Sequence, residues 1–238
     1  MKATITYINH NCFILKEASR TFLFDYPGDR FLTPKMREIV TAELQGSRAF
    51  IFASHSHQDH FNPKIVDLAK VASQATLVLS DEIINNHPQF EKIENCIITK
   101  PQGVYKIDKI KVSTFPSNDL GVAYLIKLDE LTIYFGGDLA KWSWDEFTPE
   151  ERSWMERHFQ ETINSLAKYQ IDIAFENTDQ RLTNWAGAAE FIKTVKPTLF
   201  VPMHTFGKTD SLKRFVKELG QTKSTVFLYQ KVGDKIDL

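Results

Sequence analysis

The apolar run Phe50-Ile51-Phe52-Ala53 leads almost directly into His55-Ser56-His57-Gln58-Asp59-His60, and Asn62-Pro63 then opens a helical stretch. No other feature constrains the chain as much. It puts three of the seven histidines and a carboxylate on one loop at the carboxyl end of a strand. Loops held by rigid elements are where metal and catalytic groups concentrate. In an extended segment alternate side chains point the same way, so His55 and His57 can reach one ion together. Asp59 follows in the same phase, and His60 turns with the chain toward a second position. Neutral imidazole and carboxylate suit zinc and similar divalent ions. The structural alternative is a polar loop whose histidines cap a helix.

The loop sits in a chain rich in short β-branched and aromatic runs bounded by turn residues, which read as strands. These are Thr4–Tyr7, Cys12–Lys16, Thr21–Asp25, Ala49–Ala53, Thr76–Leu79, Cys96–Thr99, Lys109–Thr114, Val122–Lys127 and Thr132–Phe135. Pro34–Leu44 and Pro63–Ala72 read as helices, with proline in the first turn where its missing N–H is no loss. After Thr148-Pro149-Glu150-Glu151 the rhythm changes. Thr148 and Glu151 have capping-box spacing, and a long helix is expected to Tyr169. Strands at Ile171–Glu176, Thr198–Val201 and Thr225–Tyr229 then alternate with helices near Trp185–Val195 and Ser211–Leu219. The pattern predicts an α/β chain with two sheets packed face to face and helices outside; a single doubly wound sheet is the alternative. With no repeat or linker in sight, residues 1–238 are expected to form one domain.

Composition narrows the function classes. A formal net charge of -1 gives no field favouring nucleic acid or an anionic membrane, so no nucleic-acid partner is expected and a small-molecule substrate is. No run approaches the roughly 18 apolar residues of a membrane span. The start of the chain makes a poor signal peptide, and the two cysteines, Cys12 and Cys96, lie in apolar runs without metal-ligand spacing. A cytoplasmic protein is the expectation, and assembly into a homo-oligomer is left open.

Two further segments have the form of strand plus ligand. Ile133-Tyr134-Phe135-Gly136-Gly137-Asp138 is a strand followed by a Gly-Gly-Asp turn, and Leu199-Phe200-Val201-Pro202-Met203-His204 is a strand ending in histidine. Read alone, Asp138 is a turn residue and His204 a capping group. Taken with the histidine loop, in this order, the chain resembles the metallo-β-lactamase superfamily. That resemblance implies a four-layer αββα sandwich and a metal-dependent hydrolase. It implies that His55, His57, Asp59, His60, Asp138 and His204 are metal ligands, with Asp138 bridging two ions and Asp59 and Asp138 acting in catalysis. More narrowly, Asn9-His10-Asn11-Cys12-Phe13, Phe24-Asp25 and Ser117-Asn118-Asp119-Leu120-Gly121-Val122 are similar to the L-ascorbate-6-phosphate lactonase-like branch.

One family feature is missing. The superfamily places another histidine near Phe115–Asp119, and none is there; His87 lies too early, in an expected surface turn. Three arrangements meet this. His55, His57 and Asp138 hold an ion alone. Asp119 or Asn118 adds an oxygen, which favours Mn²⁺ or another harder ion over zinc. Or only the Asp59, His60, Asp138, His204 position fills. One or two Zn²⁺ ions are expected, with Mn²⁺ or Fe as alternatives. A divalent ion lowers the pKa of its water toward about 7, giving hydroxide at neutral pH for attack on an ester, lactone or phosphorylated compound. The alternatives are a phosphodiesterase acting on lipid or nucleotide, and a degenerate metal-binding protein without turnover. His10, Asp25 and Asp179 are candidates for orienting the ligands, and Trp142 and Trp144 for walling a substrate pocket or packing on the helix after them. Arg181 and Lys208 read as solvated surface charge, with holding an anionic substrate group as the alternative, and His158 reads as a surface residue.

Overall fold

The computed structural model describes residues 3–238. In chain order its elements are β1 (Ala3–Asn9), β2 (Cys12–Glu17), β3 (Arg20–Phe24), α1 (Pro34–Leu44), β4 (Arg48–Ala53), α2 (Ile65–Ala69), β5 (Gln74–Ser80), α3 (Glu82–Asn86) and β6 (Cys96–Thr99). They continue with β7 (Val104–Ile107), β8 (Ile110–Pro116), β9 (Val122–Lys127), β10 (Thr132–Phe135), α4 (Pro149–Leu166) and β11 (Ile173–Asn177). The last are α5 (Ala188–Val195), β12 (Leu199–Met203), α6 (Ser211–Leu219), β13 (Thr225–Val226) and β14 (Lys235–Asp237). Two compact units emerge among the described residues, one holding the chain up to Lys100 together with 229–238, and one holding residues 101–228. Among the described residues each unit holds one seven-stranded mixed sheet.

The first sheet runs β14-β1-β2-β3-β4-β5-β6. Strands β14, β1, β2 and β3 pair antiparallel, and β3 through β6 pair parallel. The period-2 alternation explains the near-continuous apolar runs, because both faces of the central strands are buried. On one face Phe22 lies beside Phe50 and Phe24 beside Phe52, with ring centroids 5.3 and 5.4 Å apart. On the other, Leu23, Ile51, Leu77 and Leu79 pack with Met36 and Val40 of α1, Ile65 of α2 and Ile83 of α3. Removal of apolar surface from water, at about 25 cal/mol per Å², is the main force holding such layers. Thr33 caps α1, its hydroxyl accepting the Met36 N–H at 3.3 Å.

The second unit repeats this plan in the order β13-β12-β11-β10-β9-β8-β7. Strands β7 to β10 pair antiparallel and β10 to β13 parallel. Tyr134, Ala174 and Phe200 on one sheet face pack against Phe159 and Ile163 of α4, Phe191 of α5 and Phe215 of α6. The expected capping box is present: Thr148 accepts the Glu151 N–H at 3.2 Å, and the Glu151 carboxylate accepts the Thr148 N–H at 2.7 Å.

Several expected boundaries move. The helix expected over Pro63–Ala72 is confined to Ile65–Ala69, and the one expected to Tyr169 stops at Leu166. The Trp185–Val195 helix begins as a short 3-10 turn with left-handed Ala186 before α5. Of the two cysteines in apolar runs, Cys12 is buried and Cys96 half-buried. Among the described residues no helix is long and apolar enough to cross a membrane.

Candidate functional site

In the first unit the site is built on the carboxyl ends of β3 and β4. Asp25 follows β3 directly, with its N–H donated to Phe52 C=O at 2.9 Å. Its carboxylate is buried and accepts the Ser54 N–H at 2.8 Å and the Ser54 hydroxyl at 2.7 Å. The same carboxylate meets His60 Nδ1 at 2.8 Å. Because the Ser54 hydroxyl gives its proton to Asp25, it acts as acceptor toward His55 Nδ1, 2.9 Å away. Both imidazoles thus carry their proton on Nδ1, which leaves a lone pair on each Nε2. That protonation state is the one a metal ligand needs. Burial pushes the Asp25 carboxyl up, opposed by its bonds to His60 and Ser54.

Donor atoms of Asp25, His55 and His60 lie within 4.8 Å of one another. The His57 ring is exposed and sits edge-on to His55, centroids 4.7 Å apart. The His57 carbonyl accepts the N–H groups of both His60 and Phe61 at 2.9 Å, so the chain turns there. The extended phase expected to carry on to Asp59 therefore ends at His57. Asp59 instead stands between His10 Nε2 at 3.5 Å and His60 Nε2 at 4.0 Å. Burial raises the Asp59 carboxyl, but the His10 contact and the nearby His60 outweigh it and hold the group well below the usual carboxylate range. His10, in the turn between β1 and β2, is thereby brought to the cluster.

In the second unit the site is built on the carboxyl ends of β10, β11 and β12. Gly136 N–H donates to Phe175 C=O at 2.9 Å, and Gly137 takes a left-handed φ of 55°. A Cβ on Gly136 would meet the Glu176 carboxylate at 3.0 Å, which accounts for glycine there. The turn is clamped from outside. Asn177 Nδ2 donates to Gly137 C=O and Leu139 C=O, and Trp142 Nε1 donates to Asp138 C=O at 2.9 Å. Asn118 spends its amide on Ala140, donating Nδ2–H to the carbonyl at 2.7 Å and accepting the N–H at 3.1 Å. It is thus a brace for the Asp138 turn rather than the oxygen donor considered from sequence. Asp119 is exposed, its N–H donated to Ser117 Oγ at 3.1 Å.

His204 Nδ1 meets the Asp179 carboxylate at 2.9 Å, which directs the His204 Nε2 lone pair toward Asp138 Oδ2, 3.8 Å away. Arg181 holds Asp179 in turn through Nε and Nη2. Burial pushes the Asp179 carboxyl up, and the bonds from His204 and Arg181 overcome it and hold it well below its ordinary value. Arg181, considered from sequence as a grip for an anionic substrate, thus serves Asp179. The Trp142 ring lies 5.1 Å from His204 and stacks on Trp144 at 5.8 Å. Trp142 belongs to a small apolar cluster against which Trp144 and Met155 of α4 both pack, so the tryptophans pack toward the helix after them. His158 is half-buried, with Nε2 2.9 Å from Pro116 C=O, which corrects its reading as a surface residue.

The donors fit a divalent ion. Metal–nitrogen and metal–carboxylate bonds are about 2.0–2.2 Å, so two donors of a tetrahedral set stand about 3.4 Å apart. The Asp59–His60 pair at 4.0 Å and the Asp138–His204 pair at 3.8 Å lie close to that spacing. Sequence reasoning missed Ser54, Glu176 and Asn177, and it gave Asn118 a ligand's role instead of a brace's. Ser54 had one available signal, its place between a strand and a histidine pair; Asn118 and Asn177 act through backbone groups remote in sequence.

Two mixed sheets with helices and histidine–carboxylate clusters at the strand ends define the metallo-β-lactamase fold class. The chain belongs to the β-lactamase superfamily, whose domain model matches residues 4–152. Solved structures agree on the fold. Igni18, a metallo hydrolase from the hyperthermophilic archaeon Ignicoccus hospitalis KIN4/I, is similar at TM-score 0.67 and 15% identity, over 100% of this chain and 99% of that one. The metallo-β-lactamase fold protein YhfI from Bacillus subtilis is similar at TM-score 0.64 and 14% identity, over 99% of both chains. A putative metal-dependent hydrolase from Parabacteroides distasonis ATCC 8503 is similar at TM-score 0.61 and 19% identity, over 96% and 93%. No curated protein matches the chain.

Proposed function

We propose that this chain is a metal-dependent hydrolase acting, as a single metallo-β-lactamase domain, on an ester, lactone or phosphorylated small molecule. The observation that carries the reading is the protonation pattern. His55, His60 and His204 each have Nδ1 engaged by a hydroxyl or carboxylate, which presents Nε2 to an ion. The ligands would be His55, His57, Asp59, His60, Asp138 and His204, with Asp119 as an additional oxygen. A bound divalent ion supplies Lewis acidity and an activated water at neutral pH. Zinc suits the imidazole-rich set, and Mn²⁺ or Fe would suit it if Asp119 joins.

The chain's own groups then have separate tasks. Asp59, ionised at neutral pH, can hold an ion or accept a proton at Oδ2 as the leaving group departs. Asp138 is fixed by the clamp on its turn, so its carboxylate keeps one direction. Asp25 and Asp179 hold imidazole tautomers, and Trp142 with Trp144 gives a rigid apolar wall beside His204. The branch of L-ascorbate-6-phosphate lactonase-like hydrolases supplies the first substrates to try. We place the protein in the cytoplasm, with its oligomeric state open.

Elemental analysis of purified protein, paired with activity on a lactone panel and a generic phosphodiester, tests the proposal. Bound metal is expected, with turnover abolished by a chelator and by His57→Ala or His204→Ala. Metal binding without turnover on either panel would instead make the chain a metal-binding protein, and turnover confined to the phosphodiester would make it a phosphodiesterase.

A further inference from the structure

The first unit contains a cavity of about 380 Å³ that none of the proposed ligands lines. Its wall comes from the segments that follow β3, β4 and β5: Arg30; Ser56, Gln58, Phe61 and Asn62; and His87. Those strands are parallel neighbours. The cavity thus lies outside the carboxyl ends of parallel strands, where open α/β sheets bind ligands. Its size falls within the range of small-molecule pockets, about 300–1,000 Å³. Ser56 lies between His55 and His57 along the extended part of the loop, so it faces the loop's other side, where the cavity is. Gly28, also in the wall, donates its N–H to Gln58 C=O at 2.6 Å and ties the β3 segment to this loop.

The chemistry of the wall is directional. Asp29 is occupied by Lys64, Asn62 and Arg37. Arg30 has no carboxylate partner among the described residues; its guanidinium lies 4.6 Å over the Phe31 ring. The His87 ring rests on Phe61 at 5.1 Å and against Phe90 at 6.2 Å, which fixes its plane. His87 is thus half-buried in a pocket wall, and the surface turn expected from sequence is corrected. The nearby acid Glu82 accepts the Ser56 hydroxyl at 2.8 Å, and burial pushes its carboxyl up. Arg30, Arg37 and Lys64 therefore outweigh Asp29 and Glu82, and the wall carries side-chain N–H groups from Arg30, Gln58 and His87, one from the segment after each of the three strands.

We propose that this cavity binds a phosphorylated small molecule, with the phosphate held by Arg30, Gln58 and His87. A tetrahedral oxyanion uses donors from several directions, and guanidinium matches it with paired N–H bonds. The site does not depend on hydrolysis. It would brace the back of the histidine loop whether or not the metal ligands support turnover.

Calorimetric titration with glycerol 3-phosphate tests this, with glycerol and succinate as controls for the scaffold and for charge alone. It is run on wild type, Arg30→Gln, His87→Phe and His204→Ala, and on chelator-treated wild type. Binding to wild type is expected, weakened about tenfold or more in Arg30→Gln and in His87→Phe, the loss expected for one charge-assisted contact. His204→Ala and chelator treatment should leave it unchanged. Amide NMR shifts at Gly28 and Gln58 should move on titration. Binding that survives Arg30→Gln but vanishes with chelator would place phosphate on the metal and overturn the proposal. Absence of binding, or equal binding of succinate, would overturn it as well.

Discussion

Asp25 and His60 are 35 residues apart in sequence and share a hydrogen bond of 2.8 Å in a fully buried setting. One carboxylate thereby sets the tautomer of His60 directly and that of His55 through the Ser54 hydroxyl. Replacing Asp25 with Asn keeps the volume and removes the charge. Metal affinity is expected to fall by about 10–100-fold, the usual cost of losing such a partner. Chelator competition on the purified variant measures it; unchanged affinity would remove Asp25 from the site.

Ser54→Ala should separate the two histidines. It removes the link to His55 and leaves the Asp25–His60 bond in place. Stability should drop by about 1–3 kcal/mol from unsatisfied buried polar groups, read by denaturant unfolding. Histidine side-chain NMR should show tautomer exchange at His55 and not at His60.

Glu176 is a buried carboxyl whose pKa is pushed up to about 8, first by burial and then by the neighbouring Asp138, against the bonds from Asn177 and Tyr134. A carboxyl raised in the folded state binds its proton more tightly there than in the unfolded chain. Its stabilising contribution is full below the ordinary value of 4.5 and is lost as pH rises toward 8, with a slope up to about 1.4 kcal/mol per pH unit. Glu176→Gln should flatten that slope and make the metal-free protein more stable at pH 8 and above. Unfolding curves of both proteins from pH 5 to 9 decide it.

Arg181→Gln removes the bidentate hold on Asp179. The Asp179 carboxyl is held below its ordinary value, so its contribution is present above about 3.8 and is lost as pH falls through the folded value. Without Arg181 that folded value rises, and acid unfolding should begin at a higher pH. An acid titration followed by circular dichroism measures the midpoint; coincident curves would show that Arg181 does not support Asp179.

Local signals made much of the fold legible. Proline at the first turn of Pro34–Leu44 marked a helix that the structure reproduces residue for residue, and the Thr148–Glu151 box is formed as spaced. Long-range pairing escaped. Lys235–Asp237 becomes a strand only because it meets β1, more than two hundred residues away. Val104–Ile107 is an edge strand with Val104 66% exposed, so it has little apolar pattern to read. The strand expected over Thr198–Val201 is β12, which runs on through Pro202 to Met203 and keeps its register with Glu176. The ligand candidates were legible because their side chains carry the chemistry. Asn118 and Asn177 were not, because what they contact is main chain contributed by distant segments.

His10, Asp25 and His204 all have left-handed backbones, with φ of 47°, 42° and 61°. Non-glycine residues pay roughly 1–2 kcal/mol for that conformation. Glycine at any of the three would relax the main chain while deleting a side chain that its own unit's cluster uses. Selection of a mutant library for heat resistance alone should therefore enrich glycine at these positions, and the hardiest survivors would be those that had given up the imidazoles and the carboxylate.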